Sequence, residues 1–216
     1  MENPWHNIKT NDYDAHMSHP NVRQTQLLSR IFNEQFELIP ANIRPAARVG
    51  ILGITNGNGL EHVISCNIGH VVGIDINQDF LDECAKRFPN LKERLTLCRI
   101  DLMTEITDAV KVLSECDLII ANLLIKHIHL NNFMRIINRL PKHGQIISCV
   151  IQVNPDGLIL SASGAEHVFT SVSEHEEVEN ETSIDAAMKE SGYSLFNRKV
   201  YDLPNGKLFI RMDYTK

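Results

Sequence analysis

The sequence lacks the usual marks of membrane, secreted and disulfide-stabilised proteins. None of its apolar runs approaches the ~18 residues that a membrane-spanning helix requires. Its N-terminus is polar, with Pro4 and Trp5 early, so we expect no secretory signal. The five cysteines are odd in number and scattered, and no Cys-x-x-Cys pair occurs. This usage is typical of reduced core thiols, so we predict a cytoplasmic protein without a membrane partner.

Clusters of basic residues and of metal ligands are also missing from the sequence. The net charge is −6 and no run of Lys or Arg stands out. This argues against a nucleic acid substrate, because binding to phosphates calls for clustered cations. There are ten histidines, but no His-Glu-x-x-His motif and no Cys/His cluster with zinc spacing occurs. We therefore predict no metal site.

The chain does have enough residues for one large core. Its 216 residues, with ordinary apolar and charged fractions, favour a single domain. Near-continuous apolar runs alternate with helical patterns, which predicts an α/β fold with a doubly wound, mostly parallel sheet and helices on both faces. Two further strands flank Pro204-Asn205-Gly206, a hairpin signal. The fold class is therefore a seven-stranded sheet with a C-terminal antiparallel β-hairpin. The predicted strands are 48–52, 71–75, 95–100, 116–121, 145–151, 193–203 and 207–214.

Two predicted helices flank the first strand. The helix before it carries an apolar stripe with i, i+3, i+4 spacing and ends at Pro40. The stripe consists of Leu28, Ile31, Phe32, Gln35, Phe36 and Ile39. The helix after the strand is predicted over 60–66. Much later, residues 152–180 interrupt the alternation, and we expect this long connection to form either a wall of a substrate pocket or a solvated loop.

A glycine-rich turn follows the first strand, with Gly53, Gly57 and Gly59 in sequence. Glycine lets the backbone turn sharply and lets a ligand approach the main chain. Asp75 ends the second strand, and a carboxylate about 20 residues beyond such a turn can accept hydrogen bonds from both hydroxyls of a ribose. The pattern predicts an adenosine-containing cofactor across the carboxyl ends of the strands.

These residues and the terminal hairpin resemble the class I S-adenosylmethionine-dependent methyltransferases, over roughly 48–214. A narrower resemblance to small bacterial and archaeal members rests on Asn3-Pro4-Trp5, Asp12-Tyr13 and His16-Met17. The family implies S-adenosylmethionine as the cofactor and methyl transfer as the activity. It also implies an N-terminal lid segment and helix over 1–47, packed on a Rossmann-like domain over 48–216. The acidic charge and this lid favour a small-molecule acceptor.

The resemblance also assigns cofactor-binding residues. They are Gly53, Thr55, Asn56, Gly57, Gly59, Asp75, Ile76, Asp101, Leu102 and Asn122. Gly57 and Gly59 match the later glycines of the family's first motif. Gly53 stands where the family has an acidic residue, and Thr55 where it has its first glycine, so how the cofactor's ammonium is held stays open. Asp101 would contact the adenine amino group or cap a helix.

Asn122 would face the methyl group. It lies in Asn-Leu-Leu, not in the Asn-Pro-Pro-Tyr of enzymes that act on planar amide or adenine nitrogens. A general base is needed only if the acceptor must lose a proton. The candidates are Tyr13, His16 and His127. The alternatives are that Tyr13 anchors a surface segment and that His127 lies on the surface of a helix.

Two other functions compete with methyl transfer. Gly53, Gly57 and Gly59 also fit the spacing of a short-chain dehydrogenase, which would use NAD(P). That chemistry needs a Tyr-x-x-x-Lys pair, and none of the four tyrosines has a lysine four positions later. The other alternative is a non-catalytic cofactor-binding protein, which the departures at Gly53 and Thr55 would suit.

Overall fold

The computed structural model describes residues 3–20, 23–141, 144–154, 169–170, 172, 180–203 and 206–216. Seven strands of this described part form one sheet in the order β3-β2-β1-β4-β5-β7-β6. Strands β1 to β5 are parallel, and β7 runs antiparallel to both β5 and β6. The predicted fold class is confirmed. The strands are β1 (Arg48–Leu52), β2 (His70–Asp75), β3 (Leu95–Arg99), β4 (Leu118–Asn122), β5 (Ile146–Val153), β6 (Ser194–Asp202) and β7 (Leu208–Thr215).

Helices cover both faces of the sheet, because the central strands are apolar on both sides. Along β4, Leu118 and Ile120 point into one core cluster, and Ile119 and Ala121 point into the other. The first cluster is completed by α1, α2 and α3, and the second by α4 to α7. The helices are α1 (Thr10–Ser18), α2 (Gln24–Phe36), α3 (Gln78–Arg87), α4 (Ile106–Leu113), α5 (Ile125–Ile128), α6 (Leu130–Ile137) and α7 (Glu181–Glu190).

The order of the strands reverses beside β1. The chain moves outward from β1 to β2 and β3, then returns to place β4 on the other side of β1. In open α/β sheets, ligands bind at such a switch point, beyond the carboxyl ends of the strands. The fold therefore predicts a ligand site beside the residues that follow β1, β2 and β4.

The connection from β1 to β2 corrects one prediction. Instead of a helix over 60–66, it contains a single 3₁₀ turn at Leu60–His62. Gly57 and Gly59 have φ values of 102° and 87°, and the amide of Gly57 donates to the carbonyl of Ile54 in a tight turn. Amides that follow, such as that of Val63 to the carbonyl of Leu60, also donate to the carbonyl three residues earlier, so a continuous α-helix with i→i+4 bonds does not form.

The N-terminal segment folds into a 3₁₀ turn at Pro4–Asn7 and helix α1. It is fixed to the domain by Asn77, whose Nδ2 donates to the carbonyls of Trp5 and Ile8, each at 2.9 Å. Tyr13 and Met17 are buried in the core cluster beneath it. The segment therefore packs against the carboxyl end of β2.

Four further features of the sequence can be compared with the structure: the cysteines, the apolar runs, the possible metal ligands and the long connection over 152–180. All five cysteines are free thiols. No helix of the described residues is long and apolar enough to cross a membrane. Within the same ranges, no group of three or more His, Cys, Asp or Glu is placed to hold a metal ion. Most of 152–180, and the Pro204-Asn205 part of the hairpin turn, lie outside the described residues.

Candidate functional site

A cavity lies at the carboxyl ends of β1 to β4, at the switch point of the sheet. Helices α1 and α2 supply its cover. The cavity has a volume of about 150 Å³. Residues at the ends of the four strands or just after them supply its floor: Leu52, Gly53, Asp75, Ile76, Ile100, Asp101, Leu102, Asn122, Leu123 and Leu124. The cover includes Tyr13, His16, Met17, Gln24, Leu28 and Phe32.

Most of the residues predicted for the site line this cavity. The three catalytic candidates, Tyr13, His16 and His127, all do so. The cofactor candidates that line it are Gly53, Thr55, Asp75, Ile76, Asp101, Leu102 and Asn122. Asn56, Gly57 and Gly59 do not. The structure thus brings together residues that lie more than 100 positions apart in the sequence.

The glycines at 57 and 59 face protein instead of the cavity. A Cβ at Gly57 would lie 2.4 Å from the Phe88 ring, and one at Gly59 would lie 2.3 Å from the Phe32 ring. Asn56 is buried, and its Nδ2 donates to the Asp14 side chain at 2.6 Å. Glycine is therefore required here by the turn and by aromatic packing.

Asp75 is the most deeply buried acid of the cavity, at 6% exposure. Its Oδ2 accepts from the amide of Thr55 at 2.8 Å, and its Oδ1 accepts from the amide of Asn77 at 3.0 Å. Burial raises the pKa of this carboxyl to about 6, against the lowering effect of these amides. Each oxygen has a second lone pair, so the group can still accept two hydrogen bonds from a ligand.

Asp101 lies two residues after β3, and its side chain binds the turn that precedes α4. Its Oδ1 accepts from the amide of Met103 at 2.8 Å, and its Oδ2 accepts from the Thr104 hydroxyl at 2.9 Å. The carboxylate thus caps the turn before α4 while it lines the cavity.

Tyr13 reaches the cavity from α1. Its hydroxyl accepts from Asn58 Nδ2 at 2.9 Å, and the same nitrogen donates to Thr55 Oγ1 at 3.1 Å. Burial is the main cause that raises the pKa of Tyr13 to about 12. The phenol therefore stays protonated at neutral pH and is a hydrogen-bonding group there, not a base.

His127 and His16 border the cavity within an aromatic cluster. The His127 ring lies 4.8 Å from the Trp5 ring, and His16 lies 4.6 Å from Phe169, measured between centroids. Burial holds the pKa of His127 well below its usual 6.5, and Lys126 lowers it further. His127 is therefore neutral at physiological pH.

Comparisons with known proteins agree with this geometry at the level of the fold. No family model matches the sequence, and no curated protein matches it. In structure, the chain is similar to an O-methyltransferase family protein from Burkholderia thailandensis, with a TM-score of 0.66 and 13% identity over 96% of this chain and 60% of that chain. It is also similar to magnesium protoporphyrin IX methyltransferase from Synechocystis PCC 6803 with bound S-adenosylmethionine, with a TM-score of 0.62 and 10% identity over 100% and 98% of the two chains.

The protein has the class I methyltransferase fold. This likeness concerns the fold alone, and the chain spans only 60% of the length of the Burkholderia protein. The cyclase SpnF is similar as well, with a TM-score of 0.58 and 12% identity over 85% of this chain and 81% of that chain. One fold hosts many activities, so the activity depends on the residues of the site.

In this methyltransferase fold, Asn122 ends β4 and forms a reciprocal amide pair with Gln35 of α2. Gln35 Nε2 donates to Asn122 Oδ1, and Asn122 Nδ2 donates to Gln35 Oε1, both at 2.8 Å. Gln35 also donates to the Ser148 hydroxyl at 2.8 Å and is fully buried. Gln35 thus fixes the position of the Asn122 amide at the wall of the cavity.

A second cavity of about 300 Å³ adjoins the first, and Trp5, Asp101 and His127 line both. The indole Nε1 of Trp5 is buried and has no hydrogen-bond partner among the described residues. A buried donor without an acceptor is costly, so an acceptor group of a ligand would be favoured near it.

Sequence reasoning missed several residues of the cavity. Gln24 and Gln152 form a hydrogen bond of 2.6 Å between side chains 128 positions apart, which no local pattern indicates. Lys126 was also missed, although it precedes His127. Gln35 did leave a signal, because it is the one polar residue in the apolar stripe of α2. A polar residue at a core position is buried with a partner.

Proposed function

We propose that the protein is an S-adenosylmethionine-dependent methyltransferase that acts on a small molecule. The observation that carries the proposal is the buried Asp75 carboxyl group, at the end of β2 in a cavity at the switch point. This is where the fold would hold a ribose. The free thiols suit a cytoplasmic protein.

The residues of the cavity fit the adenosine part of the cofactor. Asp75 retains acceptor capacity for two ribose hydroxyls after it has bound two backbone amides. Ile76, Ile100 and Leu102 offer apolar contact to an adenine ring, and Asp101 lies next to them. The Trp5 indole adds an unmatched donor.

The amino acid part of the cofactor would be held without a dedicated carboxylate. Among the described residues that line the cavity, Asp75 and Asp101 are the only carboxylates, and neither follows β1. The turn after β1 instead presents the hydroxyl of Thr55 and the amide of Asn58. We propose that such neutral groups bind the ammonium and carboxylate, together with Asn122.

The protein's own residues would then align the acceptor and exclude water. The bound cofactor supplies a methyl group on a sulfonium, which is already activated, so orientation is the main requirement. Residues 1–47 would act as a lid over the domain formed by 48–216. His16 is our first candidate for a general base, because Tyr13 stays protonated and because a pKa as low as that of His127 makes it a weak base.

Isothermal titration with S-adenosylmethionine, S-adenosylhomocysteine and NADH tests the cofactor. We expect micromolar binding of the two sulfur compounds and none of NADH. Asp75→Ala should weaken binding at least tenfold, because it removes the acceptor of the ribose hydroxyls. Asp108→Ala removes a carboxylate from the exposed side of α4 and should leave binding unchanged.

The other outcomes discriminate between the competing functions. Binding of NADH alone would replace our proposal with the dehydrogenase, which the antiparallel β7 argues against. If none of the three compounds bound, the protein would instead be a scaffold without a cofactor. A cofactor-binding protein that transfers no methyl group is the second candidate, favoured by the lack of a carboxylate after β1. Methylation of any acceptor would exclude it.

A further inference from the structure

A line of buried polar side chains crosses the core from β7 to the cavity. It begins at Arg211, passes through Asp213, Ser148 and Gln35, and ends at Asn122. Gln35, Ser148 and Asp213 are each 0% exposed, and Arg211 is 3% exposed. Burying so many polar groups is costly unless each one is matched, so the direction of every hydrogen bond can be worked out.

The direction is set at the far end by an ion pair. Arg211 Nε and Nη2 donate to Asp213 Oδ2 at 2.9 Å and 2.7 Å. The Asp213 carboxylate can only accept, so the hydroxyl of Ser148 must donate its one proton to Asp213 Oδ1. The Ser148 oxygen is then left as an acceptor, and the group of Gln35 that faces it at 2.8 Å must be the NH₂.

This requirement removes an ambiguity in the amide pair. Two side-chain amides joined by reciprocal hydrogen bonds are equally satisfied if both flip together, since each offers one donor and one acceptor. Ser148 breaks the equivalence, because a flipped Gln35 would present its oxygen to an oxygen. With Gln35 fixed, Asn122 is fixed as well, with Oδ1 towards Gln35 Nε2 and Nδ2 towards Gln35 Oε1.

We propose that Gln35 is a positioning residue: through Ser148 and Asp213, the charge of Arg211 holds the Asn122 amide in one of its two flipped orientations at the cavity wall. The relay (Arg211, Asp213, Ser148, Gln35 and Asn122) thus decides where Asn122 presents a donor and where an acceptor.

The consequence for a ligand rests on the proposed function. After the pair is formed, Asn122 has a second N–H and a second lone pair on Oδ1 for other partners. A flip would exchange donor and acceptor at these positions. A ligand group that matches one orientation would leave a buried polar group unmatched in the other, which costs roughly tenfold in affinity. The relay would therefore select which cofactor or acceptor atoms can lie against β4.

Side-chain amide signals in ¹H–¹⁵N NMR spectra test the relay without any ligand. The Asn122 signals are identified by their loss in Asn122→Asp. We expect one set in the unmodified protein. In Ser148→Ala the hydroxyl is gone, both flips become equivalent, and the Asn122 signals should double or broaden by exchange.

Asn197→Ala is the matched control. Asn197 Nδ2 donates to Asp213 Oδ2 at 2.6 Å, so this variant also removes one hydrogen bond from Asp213 but leaves the relay intact. A single set of Asn122 signals is expected there. A single, unbroadened set in Ser148→Ala as well would overturn the proposal, because the pair would then be oriented by something else.

A measurement on the unmodified protein covers the case in which Ser148→Ala fails to fold. Nuclear Overhauser effects should join the Gln35 amide protons to the Ser148 β protons, since the NH₂ faces the serine. Their absence, with the Gln35 amide assigned, would mean the reverse orientation and would also overturn the relay. If titration detects no cofactor while these results hold, the proposed function fails and the relay stands.

Discussion

The Asp75 carboxyl group lies where burial and hydrogen bonding act on its charge in opposite directions. Burial favours the neutral acid, and the amides of Thr55 and Asn77 favour the carboxylate. Burial has the larger effect, so the pKa rises to about 6. The carboxylate nevertheless predominates at neutral pH, ready to accept hydrogen bonds from a ribose.

Affinity for S-adenosylmethionine should therefore fall in acid. As the pH drops through about 6, Asp75 takes up a proton and loses acceptor capacity towards the ribose hydroxyls. If the protonated form does not bind, affinity at pH 5 is roughly tenfold lower than above pH 7. Titration calorimetry over this range measures it. Asp75→Asn should bind more weakly at all pH values and lack the inflection, and an unchanged inflection in that variant would assign it to another group.

At the scale of elements, the turn between β1 and β2 shows how distant residues determine local sequence. Gly59 has a φ of 87°, and a Cβ added there would lie 2.3 Å from the Phe32 ring of α2. Gly206 in the terminal hairpin has a similar φ of 79°, but a Cβ there would meet nothing within 4 Å. A side chain added at either glycine would therefore strain the backbone, but only at Gly59 would it also lack space.

Gly59→Ala should destabilise the protein much more than Gly206→Ala. The hairpin substitution costs about 1 kcal/mol for a left-handed residue. The turn substitution adds the displacement of a buried aromatic ring, so we expect about 3 kcal/mol in total. Urea unfolding followed by circular dichroism gives both values. Equal losses would show that backbone strain alone, and not Phe32, requires glycine at position 59.

At the scale of the whole molecule, one asparagine holds the start of the N-terminal segment, and Tyr13 and Asp14 of the segment make further hydrogen bonds to the domain. Asn77 accepts from the amide of Asp79 and so caps α3, and it donates to the carbonyls of Trp5 and Ile8. Trp5 is the only tryptophan in the chain, so its fluorescence reports the position of this segment. The proposed lid can thus be followed without a ligand.

Asn77→Ser should release the segment while α3 stays capped, because serine keeps an acceptor but loses both amide donors. We expect the Trp5 emission to shift to longer wavelength as the ring enters water, with α-helical circular dichroism retained. Asn180→Ser is the control, since Asn180 caps α7 through Ser183 in the same way and belongs to a different helix. An unchanged Trp5 emission in Asn77→Ser would show that the other contacts of the segment, such as those of Tyr13 and Asp14 with the turn after β1, are enough to hold it in place.

The local pattern of apolar residues was enough to predict the strands and helices whose periodicity is strong. The central strands β1, β2, β4 and β5 are near-continuous apolar runs because both faces of the sheet are covered there, and Asp75 is the last residue of β2. The helix predicted over 60–66 was wrong, because i→i+3 turns continue through these residues after Gly57 and Gly59, whose positive φ values let them pack against Phe88 and Phe32. Those two rings come from elsewhere in the chain.

The sequence by itself determined the sheet, the helices with a clear apolar stripe such as α2, and the acid at the end of β2, since periodicity and turn chemistry act over a few residues. Only the tertiary structure decided which residues meet at the cavity. Tyr13 beside Asn58, and Gln35 beside Asn122, are contacts across 45 and 87 positions. Such pairs depend on how the helices and strands pack, and no regular spacing in the sequence indicates which two residues will meet.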